Sequence, residues 1–105
     1  MIYCNEWHFA TGQPAAPGSP VPLPPTDKEI DYVSFGVASG WTLVSQVGGW
    51  QGESEPSYCL RIFSPRIPQS VVKGVSKRIC DLYNQKAAYF LCYPVEAELH
   101  ERDEL

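Results

Sequence analysis

Three side chains able to do chemistry stand at every second position near the start of the chain: Cys4, Glu6 and His8. Alternate residues of a β-strand share a face. If residues 2–9 are extended, a thiol, a carboxyl and an imidazole therefore lie side by side. Such a trio imitates a thiol–histidine pair, in which imidazole activates the nucleophile. It also imitates a histidine general base beside a carboxylate. Short matches of this kind arise by chance in 105 residues, and nothing else along the chain reinforces this one. There is no G-x-G-x-x-G and no P-loop, and no G-x-S-x-G elbow. Gly36-Val37-Ala38-Ser39-Gly40 has the wrong spacing for that elbow. Gly48-Gly49-Trp50-Gln51-Gly52 lies between two strand-like runs, without the helix N-terminus that phosphate cradles use. The chain is expected not to be an enzyme.

The four cysteines, Cys4, Cys59, Cys80 and Cys92, allow two disulfides in three connectivities. Residues 1–6 carry neither a basic nor an apolar leader region, so no secretory signal is expected. The expected setting is the cytoplasm, with the thiols free and buried like small hydrophobes. Cys59, Cys80 and Cys92 do sit in apolar runs. Zinc needs closely spaced ligand pairs such as C-x2-C. Cys4-x3-His8 is the one close pair, nothing downstream matches it, and His100 is remote from the other cysteines. No metal or other cofactor is expected. The terminal Arg102-Asp103-Glu104-Leu105 resembles an endoplasmic-reticulum retrieval signal. Without a leader it reads as coincidence.

The elements that would position these groups follow from periodicity. On residues 2–9, Tyr3, Asn5, Trp7 and Phe9 form the more aromatic face and should lean on the core, opposite Cys4, Glu6 and His8. Six of the ten prolines fall between Pro14 and Pro25. Because proline fixes φ and lacks an N–H, 12–26 is expected to be an extended loop or arm. Its Pro-x-x-Pro spacings would suit an aromatic groove, but any proline-rich run supplies them. Alternation then predicts strands near 30–37, 41–47 and 57–63, with 48–56 as a hairpin loop, forming an antiparallel meander. From Gln69 to about Gln85 the period becomes helical: Val71, Val72, Val75, Ile79, Leu82 and Tyr83 fall on one stripe. Pro68 can open that helix and Asn84 can cap it. Gly74 within it would cost about 1 kcal/mol relative to alanine and suggests a close approach to the sheet. Residues 87–93 are apolar on both alternating faces, the pattern of an interior strand. Pro94 ends that strand or makes it an edge. The tail is read as a strand to Leu99 followed by a frayed acidic end, 100–105.

The expected fold is α+β in one domain over 1–105: about five mainly antiparallel strands with one amphipathic helix on one face. One helix cannot cover Tyr3, Trp7, Tyr32, Trp41, Trp50, Tyr58 and Tyr93 together. That mismatch suggests that part of the sheet is a contact surface. No run is long and apolar enough to span a membrane.

Charge is uneven along the chain, with 8 Lys+Arg against 12 Asp+Glu and a net of −4. Residues 61–86 carry Arg61, Arg66, Lys73, Lys77, Arg78 and Lys86 against Asp81 alone, while the tail is acidic. So few cations in an acidic chain make nucleic acid an unlikely partner, because such binding scales with phosphates neutralised. Another protein is the expected partner. The profile is that of an inhibitor, immunity protein or phage or mobile-element accessory protein that occludes its target. Trp41, Trp50, Tyr58, Lys73 and Lys77 are the candidate contacts, since aromatic residues dominate interface hot spots. The alternatives are a homo-oligomeric structural or assembly subunit, and a nucleic-acid binder using the basic helix.

Overall fold

The computed structural model of the chain describes residues 1–12, 23–37, 40–50 and 53–105, with 48–50 and 53–54 as backbone only. Most of the expected proline arm, residues 13–22, lies outside them. The elements in chain order are β1 (Ile2–Ala10), α1 (Asp27–Val33), β2 (Thr42–Trp50), β3 (Glu53–Ser64), α2 (Gln69–Leu82) and β4 (Tyr89–Val95). A single 3-10 turn, Arg102–Glu104, follows. The strands form one antiparallel sheet in the order β2-β3-β1-β4. The fold is α+β as expected, but the described residues hold four strands and two helices rather than five and one.

The missing strand is the segment expected near 30–37, whose first residues, 30–33, end helix α1 and whose remainder is turn. Its apolar residues Val33, Phe35 and Val37 alternate well enough to imitate a strand. A capping box decides otherwise: Thr26 Oγ1 accepts from the Glu29 N–H at 3.2 Å, and Glu29 Oε1 accepts from the Thr26 N–H at 2.8 Å. Ile30 and Val33, three apart, are then buried on one helical face, while Tyr32 and Phe35 are exposed.

β1 and β3 are the central strands. Trp7 pairs with Leu60 on one side and Phe90 on the other, and Leu60 pairs with Leu43. This row, with Asn5, Phe9, Tyr58 and Ile62, faces the helices. Trp7, Leu60, Ile30, Val33, Val75 and Ile79 are fully buried there. The Trp7 Nε1–H donates to Ser76 Oγ on α2 at 3.1 Å, and its ring lies 4.8 Å from that of Phe90. Burying each such large apolar side chain contributes about 1.5–3 kcal/mol. The aromatic face of β1 is thus the core face, as its alternation predicts.

The second helix follows its stripe: Val72, Val75, Ile79 and Tyr83 are buried and Leu82 is partly exposed at its rim. Asn84 takes a left-handed φ of 52° just beyond it, and the Gln85 N–H reaches Cys80 O at 2.9 Å. That is a Schellman closure. α1 is tied to α2 by Arg78, whose guanidinium donates to Val33 O and Phe35 O at 3.0–3.1 Å. These carbonyls at the helix end would otherwise be unsatisfied.

Two expectations about the C-terminal part change. The strand at 87–93 is not interior: β4 is an edge strand, which is why Pro94 can remain in it opposite Tyr3. Residues 87–93 are apolar on both faces, but of them only Ala88 and Phe90 pack on the core. Pairing stops at Val95, short of Leu99. The hairpin between β2 and β3 is also tighter than expected, with pairing continuing to Trp50 opposite Glu53.

Gly74 does not serve a close approach to the sheet. A Cβ there would meet only the end of Arg78, Nη1 at 3.6 Å, an ordinary contact. Gly74→Ala is therefore expected to raise the unfolding free energy by about 0.5–1 kcal/mol, measured as a higher urea midpoint at unchanged slope. A loss of stability would mean that Arg78 needs the bare backbone to reach α1.

Candidate functional site

Both helices lie against the same face of the sheet, and among the described residues no helix or strand lies on the other. The register builds that open face row by row. Phe63, Cys4 and Tyr93 form one row; Thr42, Arg61, Glu6 and Leu91 the next; Val44, Cys59, His8 and Tyr89 the third. Phe63, Tyr89, Leu91 and Tyr93 are exposed, by 40–79%. Cys4, Cys59 and Glu6 at the centre are buried, at 2%, 2% and 6%. Arg61 and Tyr93 on the neighbouring strands reach over to Glu6.

Glu6 is the centre of a hydrogen-bond cluster. Its Oε2 accepts from Tyr93 OH at 2.7 Å, from Arg61 Nε at 2.9 Å and from the Cys4 thiol at 3.5 Å. Its Oε1 lies 3.0 Å from His8 Nε2. Burial alone pushes the Glu6 pKa up, but the bonds from Tyr93, His8, Arg61 and Cys4 outweigh it and bring it down to about 2. Hydrogen bonding to Cys4 and Glu6 raises the Tyr93 phenol in turn.

His8 joins a second set. Gln46 Nε2 lies 3.0 Å from His8 Nδ1 and 3.3 Å from Ser57 Oγ, whose hydroxyl donates to Phe9 O at 3.3 Å. Cys59 Sγ is 3.6 Å from His8 Nε2. Gln46 on Nδ1 and a thiol on Nε2 outline a nucleophile–base–orienter arrangement. Two observations oppose nucleophilic chemistry. Nε2 is shared with Glu6, and burial pushes the Cys59 thiol up, away from the reactive thiolate. The chemistry this set can do is to hold: a carboxylate oxygen, an imidazole nitrogen and a thiol sulfur lie within 4.8 Å of one another.

The residues expected at the contact surface do not come together. Tyr58 is in the core beside Phe9. Trp41 packs on the core edge and its Nε1–H donates to Asp31 Oδ1 at 2.9 Å. Lys73 and Lys77 are on the exposed side of α2, and Lys77 pairs with Asp81 at 2.8 Å. The Trp50 side chain lies outside the described residues. Sequence reading did place Cys4, Glu6 and His8 on one face. It missed Gln46, Cys59, Arg61 and Tyr93, which reach that face only through strand register. No helix among the described residues is long and apolar enough to cross a membrane.

Two measurements follow. Because the folded Glu6 pKa is depressed, its contribution is complete above its ordinary 4.5 and is lost as pH falls toward about 2. That contribution is on the order of 3 kcal/mol. The urea midpoint is expected to drop steeply between pH 5 and 2.5, and Glu6→Gln to flatten that drop while lowering stability at neutral pH. Thiol alkylation is expected to modify exposed Cys92 first, Cys80 more slowly, and Cys4 and Cys59 only on unfolding. Early labelling of Cys59 by mass spectrometry would contradict its burial.

No protein-family model, curated protein or solved structure matches the chain.

Proposed function

We propose that the chain is a protein-binding module, of the inhibitor, immunity or phage or mobile-element accessory kind, which occludes its partner with the helix-free face of the sheet. One observation supports this reading: a four-stranded sheet with both helices on one side leaves Phe63, Tyr89, Leu91 and Tyr93 exposed together on the other. Interfaces are enriched in aromatic residues and depleted of free charge at their centre. The cation at the centre of this face, Arg61, is neutralised by Glu6. Tyr89 and Tyr93 supply large apolar surface with a polar tip, the profile of an interface anchor.

The reading moves the contact away from the helix side. There, Lys77 is paired to Asp81 and Arg78 is committed to the carbonyls of α1. A nucleic-acid interface on that helix would have few cations to offer. An exposed free Cys92 suits the reducing, cytoplasmic setting that this reading includes.

The test compares two double variants as bait in a lysate of the source cell. Phe63→Lys with Tyr89→Lys alters the sheet face. Lys73→Glu with Lys77→Glu alters the helix face. The expected result is one stoichiometric partner whose affinity falls tenfold or more with the sheet variant, at least about 1.4 kcal/mol, and is kept by the helix variant. The reverse pattern would place the contact on α2. Recovery of the bait alone, as a concentration-dependent dimer that the sheet variant dissolves, would make the chain a self-assembling subunit instead.

A further inference from the structure

We propose that Glu6, His8 and Cys59 form a binding site for a zinc-class divalent cation, through Glu6 Oε1, His8 Nε2 and Cys59 Sγ. The three donors come from adjacent central strands. Glu6 and His8 are two apart on β1, and Cys59 is the register partner of His8 on β3. Sheet pairing therefore fixes all three, without any ligand spacing in the sequence.

The distances suit the ion. Zinc binds sulfur at about 2.3 Å and nitrogen or oxygen at about 2.0–2.2 Å, so donors at tetrahedral corners stand about 3.3–3.6 Å apart. Cys59 Sγ and His8 Nε2 are already 3.6 Å apart. His8 Nε2 and Glu6 Oε1, at 3.0 Å, need to open by a few tenths of an ångström. A Glu6 carboxylate oxygen, a His8 ring nitrogen and Cys59 Sγ all lie within 4.8 Å of one another, so the widest pair closes toward tetrahedral spacing when the ion binds. A thiolate, an imidazole and a carboxylate are the donor types of zinc and cobalt(II), not of magnesium or calcium, which prefer oxygen alone. Three protein ligands leave a fourth corner for water. The His8 side chain, 28% exposed, keeps that corner within reach of solvent.

The surrounding groups fit the same occupant. Arg61, Tyr93 and Cys4 bond Glu6 at Oε2, so Oε1 is free of them. A carboxylate has lone pairs enough for both sets of partners. Gln46 sits on the far nitrogen of His8. With its amide nitrogen toward Nδ1, the imidazole proton is on Nε2 and satisfies Glu6. With the amide turned over, Nδ1–H donates to the Gln46 oxygen and the Nε2 lone pair faces Glu6 and Cys59. Three electron-rich atoms then converge, which a cation satisfies. A polar group holding the outer nitrogen is the usual partner of a metal-bound histidine. Coordination replaces the thiol proton of Cys59, which leaves to solvent, and the His8–Glu6 hydrogen bond.

The test is titration of the reduced chain with cobalt(II) alone, followed by displacement with zinc. No protein partner is involved, so its outcome is independent of the docking reading. The expected result is one ion per chain, with a thiolate-to-cobalt charge-transfer band and the intense visible bands of a tetrahedral site. Cys59→Ser is expected to abolish the charge-transfer band. His8→Asn, at a partly exposed position, should weaken binding more than 100-fold and keep the fold if Cys59→Ser does not. Gln46→Leu should weaken it about 10–100-fold. Cys80→Ser and Cys92→Ser should leave the spectrum unchanged. Absence of a charge-transfer band with millimolar cobalt, its persistence in Cys59→Ser, or its loss in Cys92→Ser would overturn the assignment.

Discussion

Glu6 is a carboxylate only 6% exposed, on a central strand, and it is held charged. A buried ion of this kind costs several kcal/mol unless donors surround it. The donors come from both neighbouring strands and from its own. Arg61 is its direct partner on β3, Tyr93 lies diagonally across on β4, and Cys4 and His8 flank it on β1. A slip of one residue in either ladder would turn Arg61 or Tyr93 to the helix side. The carboxylate would then be stranded. The register of β1 with β3 and β4 and the ionisation of Glu6 are therefore one constraint.

The other side of β1 explains why this cluster lies on an open face. Trp7 fills the centre of the core, between Leu60 and Phe90, with its N–H on Ser76 of α2. α1 is drawn onto the same layer by its buried Ile30 and Val33 and by the Arg78 bridge from α2. The two helices together bury one face of the sheet, and among the described residues no helix or strand covers the opposite one. Burial at the centre of that face is achieved sideways, by Arg61, Tyr93 and their neighbours, rather than by a further layer.

What the sequence made legible was local periodicity. The alternation of β1 identified both its core face and its polar face, and the 3.6-residue stripe of α2 identified its buried residues. The segment at 30–37 reads as a strand because Val33, Phe35 and Val37 alternate. The Thr26-x-x-Glu29 capping box was the signal that outranked them. β4 was misread because apolar residues on both faces imply burial on both only when a layer covers each. Which faces are covered depends on where both helices pack. The site itself was half legible. Cys4, Glu6 and His8 were visible as a face, but Cys59 and Arg61 stand more than fifty residues away and join them through pairing alone. Aromatic residues taken as contacts, such as Tyr58, proved to be core because residue type does not say which way a strand faces.

Stability by itself gives no reason for the polar cluster. Replacing a buried ion pair by well-packed apolar residues is often neutral or stabilising by 1–4 kcal/mol. Leu91 and Thr42, in the same row as Glu6, show that the sheet accepts apolar and β-branched side chains there. An all-apolar face, however, would be a long uncovered hydrophobic surface that stacks without selectivity. Glu6 and Arg61 break that surface at its centre while neutralising each other. The same geometry has a second consequence. Because Arg61, Tyr93 and Cys4 crowd onto Oε2, Oε1 is left to the His8 imidazole, which also contacts the Cys59 thiol. The arrangement that locks the strands in register is thus also the one that brings three metal-type donors together.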